Sequence, residues 1–123
     1  MDTAKEIRDE LRGPARQLRD EIPDVFRAYG ELARAATAEG ELSSATKEFA
    51  ALAIALIKQC DGCIVAHLRN LVRLGATRRQ VAELCGVAVL MDGGPATVWG
   101  PRALAAYDEL VGERSVGGSS ENK

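Results

Sequence analysis

The chain is expected to fold as an all-α domain, a small helical bundle assembled as a homo-oligomer. Three observations support this. Aromatic residues are only 4% of the sequence, whereas apolar residues overall are 46%, mostly alanine and leucine, which favours helix over sheet. Apolar positions recur at helical spacing along most of the chain. Helix-starting and helix-stopping residues punctuate those runs at matching intervals. With 123 residues the chain is one domain whose modest core makes association worth expecting.

Residues 2–12 are charged, with Ile7 and Leu11 at helical spacing, and predict a short surface helix ended by Gly13. Pro14 suits the first turn of the next segment, whose apolar face is Leu18 and Ile22. Pro23-Asp24 restarts the chain, and Val25, Phe26, Tyr29, Leu32, Ala33 and Ala36 repeat helically towards Gly40. These N-terminal helices, residues 1–38, carry no chemical constellation and read as scaffold and subunit contact. The core, residues 39–112, begins with a helix capped by Ser43 or Ser44. Its interior, Phe49 to Ile57, is an unbroken apolar run that needs cover on every side, part of it from another subunit. The run is about half of the ~20 residues that a membrane span requires.

Asp61 is a fair N-cap for a following helix, from about Cys63 to Leu74, with Ile64, Leu68 and Leu71 facing the core and Gly75 closing it. Thr77-Arg78-Arg79-Gln80 is a capping box, and the helix it opens buries Val81, Leu84, Cys85, Ala88 and Met91. Asp92-Gly93-Gly94-Pro95 stops it. A last helical stretch, Ala96 to Leu110, contains Gly100-Pro101, which should kink or split it. The polar residues 113–123 read as a disordered tail.

Cys60-Asp61-Gly62-Cys63-Ile64-Val65-Ala66-His67, with Glu48 upstream, is the stretch that carries chemistry. On a helix Cys63 and His67 (i, i+4) share a face, and Cys60 lies one turn behind them. Unpaired N–H groups at a helix start favour a thiolate, and a second thiol with a nearby imidazole completes the apparatus for disulfide exchange. His67 can take the thiol proton or return it to a leaving oxygen. Glu48 reads either as an N-terminal helix acid or as a carboxylate passing protons to His67 or Cys60. At 1.5 Å per residue it is about 18 Å of helix from Cys60, so contact requires two helices to fold back on each other.

The net charge of −2 and the absence of a basic block argue against a nucleic-acid surface. Nor is there a membrane-spanning run or a signal-peptide pattern, so a cytoplasmic location is expected, where a C-x-x-C cycles rather than staples. A competing reading assembles Cys60, Cys63, His67 and Cys85 into a zinc site, which would make this a non-enzymatic, zinc-stabilised or redox-sensing protein. Cys85, however, sits on an apolar stripe with Val81 and Ala88 and looks packed. No cofactor is expected.

Glu48, the Cys60/Cys63 pair and His67, at these spacings, together with Leu42-Ser-Ser-Ala-Thr-Lys-Glu48, Gly75-Ala76-Thr77 and Gly93-Gly94-Pro95-Ala96, resemble the AhpD-like alkylhydroperoxidases of the carboxymuconolactone decarboxylase superfamily. The resemblance covers roughly residues 40–110. It implies helical subunits in trimers or hexamers that reduce hydroperoxides through the cysteine pair. A dithiol reductant, thioredoxin-like or lipoyl-bearing, would then restore the thiols. Carried over, it makes Cys63 the peroxidatic sulfur, Cys60 the resolving one, and His67 with Glu48 the proton relay. Gly62 stands where some members have a second histidine. The decarboxylase branch generally lacks the cysteine pair, so a decarboxylase-type small-molecule enzyme is the remaining alternative.

Overall fold

A computed structural model describes residues 1–121 and shows six helices, with no strand among those residues. They are α1 (Ala4–Glu21), α2 (Pro23–Thr37), α3 (Ser44–Ile57), α4 (Asp61–Arg73), α5 (Arg78–Asp92) and α6 (Gly94–Glu121). Helices α3 to α6 form the bundle. Leu52, Leu56, Ile64, Leu68, Leu71 and Val81 are fully buried at its centre, with Ala88, Ala103 and Tyr107 around them. No helix among the described residues is long and apolar enough to cross a membrane.

The turns that join the bundle helices are closed by specific chemistry. Ser43 caps α3 by accepting from the Thr46 N–H, and Thr77 and Gln80 form the expected reciprocal box at α5. Helix α4 ends with Gly75 at φ 83°, its N–H bonded to the Val72 carbonyl and that of Ala76 to Leu71. The same pair of bonds ends α3, where Gln59 donates to Leu56 and Cys60 to Ala55. There the left-handed residue is Gln59, at φ 56°, and not the glycine usual at this position. A side chain in that conformation is costly. Gln59→Gly should therefore raise stability by about 1 kcal/mol, read as a rise in Tm of roughly 3 to 5 °C. An unchanged or lower Tm would show that the glutamine side chain contributes more than its backbone strain costs.

Several expectations need correction. Helix α1 does not stop at Gly13, and Pro14 does not open a new one; a single helix runs from Ala4 to Glu21. Likewise Gly100-Pro101 does not split α6. In both places glycine precedes proline, so no Cβ meets the pyrrolidine ring. The carbonyls that lose a donor, on Glu10 and Thr97, belong to exposed residues that water can reach. The N-cap of α4 is Cys60, with Asp61 already its first helical residue. Met91 is 74% exposed, because it lies in the last turn of α5, past Ala88, the last residue which that helix buries. Beyond Gly112 the chain stays helical to Glu121 where an irregular tail was expected, and Arg8 holds both oxygens of Glu113 at 2.8 Å. Residues 122–123, the end of that tail, lie outside the described residues.

The N-terminal pair is attached lightly. The Glu109 carboxylate on α6 accepts from the backbone N–H groups of Ala4 and Lys5, both at 2.9 Å, and so caps α1 in trans. Ala4 and Ile7 are buried, but Leu11, Leu18 and Ile22 are exposed. Among the described residues, helix α2 touches only α1 and α3 and buries no residue.

Candidate functional site

The turn at Gln59 places the chemistry. Cys60 terminates α3 through its N–H and starts α4 through its side chain, since Cys60 Sγ accepts the Cys63 N–H at 3.3 Å. One residue therefore fixes both the end of one helix and the beginning of the next. The Asp61 carboxylate takes the neighbouring Gly62 N–H at 2.6 Å. Cys60 and Cys63 are joined as a disulfide, Cα to Cα 5.3 Å, with Cys63 exposed and Cys60 half-buried. Both sulfurs thus sit at the positive end of the α4 dipole, where an anion is favoured.

Reversal of the chain at this turn runs α4 back along α3, which brings Glu48 to His67 in spite of the length of helix between them. Glu48 is in the second turn of α3, not its first, and is buried, with 5% of its side chain exposed against 30% for His67. His67 Nδ1 lies 2.7 Å from Glu48 Oε2. A carboxylate only accepts, so Nδ1 carries the hydrogen and Nε2 keeps the lone pair that can take or return a proton.

Asn70 completes the arrangement and was not singled out from the sequence. Its Nδ2 donates to the other Glu48 oxygen, Oε1, at 3.1 Å, while Arg73 donates to Asn70 Oδ1. The guanidinium therefore fixes which end of the amide faces Glu48. The available signal was spacing: Asn70 is three residues after His67 and seven after Cys63, on one helical stripe. An asparagine inside a helix, where its propensity is poor, is a further hint.

Cys85 is elsewhere. It packs against Gly100 of α6, with Sγ 3.7 Å from the Gly100 carbonyl, and burial pushes its thiol pKa up. The four-residue zinc set is thus not assembled: two members are bonded to each other and the third lies in the α5–α6 seam. No cluster of three or more His, Cys, Asp or Glu side chains among the described residues is placed to hold a metal ion.

The carboxymuconolactone decarboxylase family model matches residues 23–108, reaching further towards the N-terminus than the motifs alone. An uncharacterised protein of Cupriavidus necator is 39% identical over 88 residues, 72% of this chain and 78% of the relative. Uncharacterised protein 4 in the cox locus of Paracoccus denitrificans is 38% identical over 91 residues, 74% of this chain and 79% of that protein. The crystal structure of an apo carboxymuconolactone decarboxylase family protein from Legionella pneumophila superposes with a TM-score of 0.83 at 39% identity, covering 88% of this chain and 96% of that one.

Proposed function

The chain belongs to the carboxymuconolactone decarboxylase family, and from that premise we propose that it is an AhpD-like thiol-dependent peroxidase or disulfide oxidoreductase acting through Cys60 and Cys63. The observation that carries this reading is the juxtaposition of a bonded cysteine pair at the start of α4 with an imidazole one turn along, held by a buried carboxylate.

In the reduced protein Cys63, the more exposed sulfur, attacks the terminal oxygen of a hydroperoxide as thiolate. The O–O bond breaks, an S–O bond forms, and the departing alkoxide leaves as alcohol with a proton from His67. Cys63 is then a sulfenic acid. Cys60 attacks that sulfur, an S–S bond forms and hydroxide leaves as water. A dithiol partner, thioredoxin-like or lipoyl-bearing, reduces the disulfide and is itself oxidised. Glu48 orients His67 and stabilises its charged form, as the carboxylate does in other histidine relays. A reducing compartment such as the cytoplasm suits this cycle.

Mass spectrometry after one equivalent of hydroperoxide tests the reading. The reduced protein should lose two hydrogens, mapped to a Cys60–Cys63 disulfide, with Cys85 still free to alkylate. No loss, or oxidation at Cys85 first, would overturn it.

The active form is a homo-oligomer, a trimer or hexamer. Support comes from α2, whose Val25, Tyr29 and Leu32 lie on one stripe and are 59%, 67% and 63% exposed, and from Ile54 in the apolar run of α3, which is also exposed. Sedimentation should give three or six times the 13.1 kDa chain mass, and Tyr29→Glu with Leu32→Glu should reduce it to one. A wild-type monomer would defeat this expectation.

A further inference from the structure

We propose that the groove between α1 and α4 binds an amphipathic carboxylate, its acyl chain on an apolar floor and its acid group on Arg69. For the peroxidase reading, on which this consequence rests, the preferred substrate is then a hydroperoxide that carries a carboxylate.

The groove has a volume of about 410 Å³, within the range of small-molecule sites of roughly 300–1,000 Å³. Ile7, Leu11, Val65 and Ala66 supply the apolar surface, and Arg8, Arg12 and Arg69 stand around it. Two of these cations are engaged: Arg8 holds Glu113, and Arg12 lies 3.3 Å from Asp9. Among the described residues Arg69 has no ion pair or side-chain hydrogen bond, so it is the one whose charge a ligand can compensate. Beyond Arg69 the groove meets a smaller hollow of about 230 Å³, lined in part by Arg73 and Arg114, where the single acid, Glu113, is already taken by Arg8. A chain of net charge −2 has thus gathered arginines along one face.

The combination selects the occupant. A cation meets like charge, a polyhydroxylated ligand wastes its hydrogen bonds on the apolar floor, and a neutral alkane leaves Arg69 uncompensated. An alkyl chain ending in a carboxylate satisfies both surfaces. Position matters as much as chemistry. The far end of the groove is Gly62, between the two cysteines, where an added Cβ would stand 3.3 Å from Leu11 Cδ1. Gly62 and Arg69 are seven residues apart on α4, about 10 Å along the axis, which a medium-length acyl chain spans. A ligand anchored at Arg69 therefore ends beside the first turn that carries the sulfurs.

Calorimetric titration of the disulfide form with octanoate tests the groove without any turnover. The expected result is saturable binding at one site per chain, about tenfold tighter than 1-octanol, with Arg69→Ala removing most of that difference and Arg69→Lys retaining part of it. For the reduced enzyme, the ratio of kcat/KM for a carboxylate-bearing alkyl hydroperoxide to that for cumene hydroperoxide should fall by a similar factor in Arg69→Ala. Absence of saturable binding, or equal affinity for octanoate and octanol, would overturn the proposal. So would binding of poly-glutamate but not octanoate, which would make the face a docking surface for an acidic protein. Octanoate binding by a chain that reduces no hydroperoxide would uphold the groove and defeat the peroxidase reading alone.

Discussion

Cys63→Ser should lower peroxide-dependent turnover at least about 10³-fold, while Cys85→Ser should leave it close to wild type. The difference follows from where the two sulfurs sit. Cys63 is exposed in the first turn of α4, at the positive end of the helix dipole, where an anion is favoured. A serine hydroxyl at that position stays protonated and cannot replace it as nucleophile. Cys85 is partly buried against α6, and burial holds its thiol in the neutral form. Cys60→Ser separates the two steps of the cycle: one equivalent of peroxide should convert Cys63 to a sulfenic acid that a 1,3-dione reagent traps, with no second turnover. In the reduced wild-type protein, iodoacetamide should label Cys63 well before Cys85. Loss of the first oxidation step in Cys60→Ser, with retention in Cys63→Ser, would exchange the roles of the two sulfurs. Equal loss in the Cys63 and Cys85 variants would instead indicate a folding role for both.

Much of this arrangement is readable from local chemistry. Ser43, Thr77 and Gly75 each act within one turn of themselves, so their capping roles follow from residue type and spacing. Ile64, Leu68 and Leu71 form a stripe that only one face of a helix can bury. What local chemistry does not carry is distance across a turn. Glu48 meets His67 because Gln59 adopts a left-handed conformation that glutamine seldom takes, and nothing in a glutamine announces it. Asn70 escapes for another reason. An amide has no reactivity of its own, and its importance appears only when the carboxylate it faces is known. The two Gly-Pro pairs mislead because the rule that proline breaks helices omits what the preceding glycine removes. Met91 follows the apolar period faithfully but falls in the last turn of α5, past the last residue which that helix buries.

Glu48→Gln tests the relay most sharply, because the substitution preserves shape while changing what each atom can donate. Glu48 now accepts twice, from His67 Nδ1 and from Asn70 Nδ2. Glutamine has one acceptor oxygen, so it can serve only one of them and must turn its NH2 towards the other. If the NH2 turns to His67, Nδ1 becomes the acceptor and Nε2 carries the hydrogen, which is the wrong tautomer for taking a proton from a thiol. If it turns to Asn70, the asparagine amide must flip, which Arg73 opposes by holding Asn70 Oδ1. Either way the charge that stabilises the imidazolium is gone. We expect kcat to fall about 10²-fold or more, in line with the effect of removing a positioned general acid–base partner. Asn70→Ala should cost less, about 3- to 10-fold, since His67 keeps its carboxylate and only the aim of that carboxylate loosens. Stability should move the other way round from activity. His67 and Asn70 are both partly exposed, so water can satisfy what the substituted amide does not. The Tm of Glu48→Gln should therefore change far less than that of Leu68→Ala, where a fully buried side chain is lost at about 2–5 kcal/mol. The double variant Glu48→Gln/His67→Ala should be no slower than His67→Ala alone, because the carboxylate acts only through the ring. Additive losses in that cycle, or wild-type turnover in Glu48→Gln, would make Glu48 a structural acid and leave His67 to work without it.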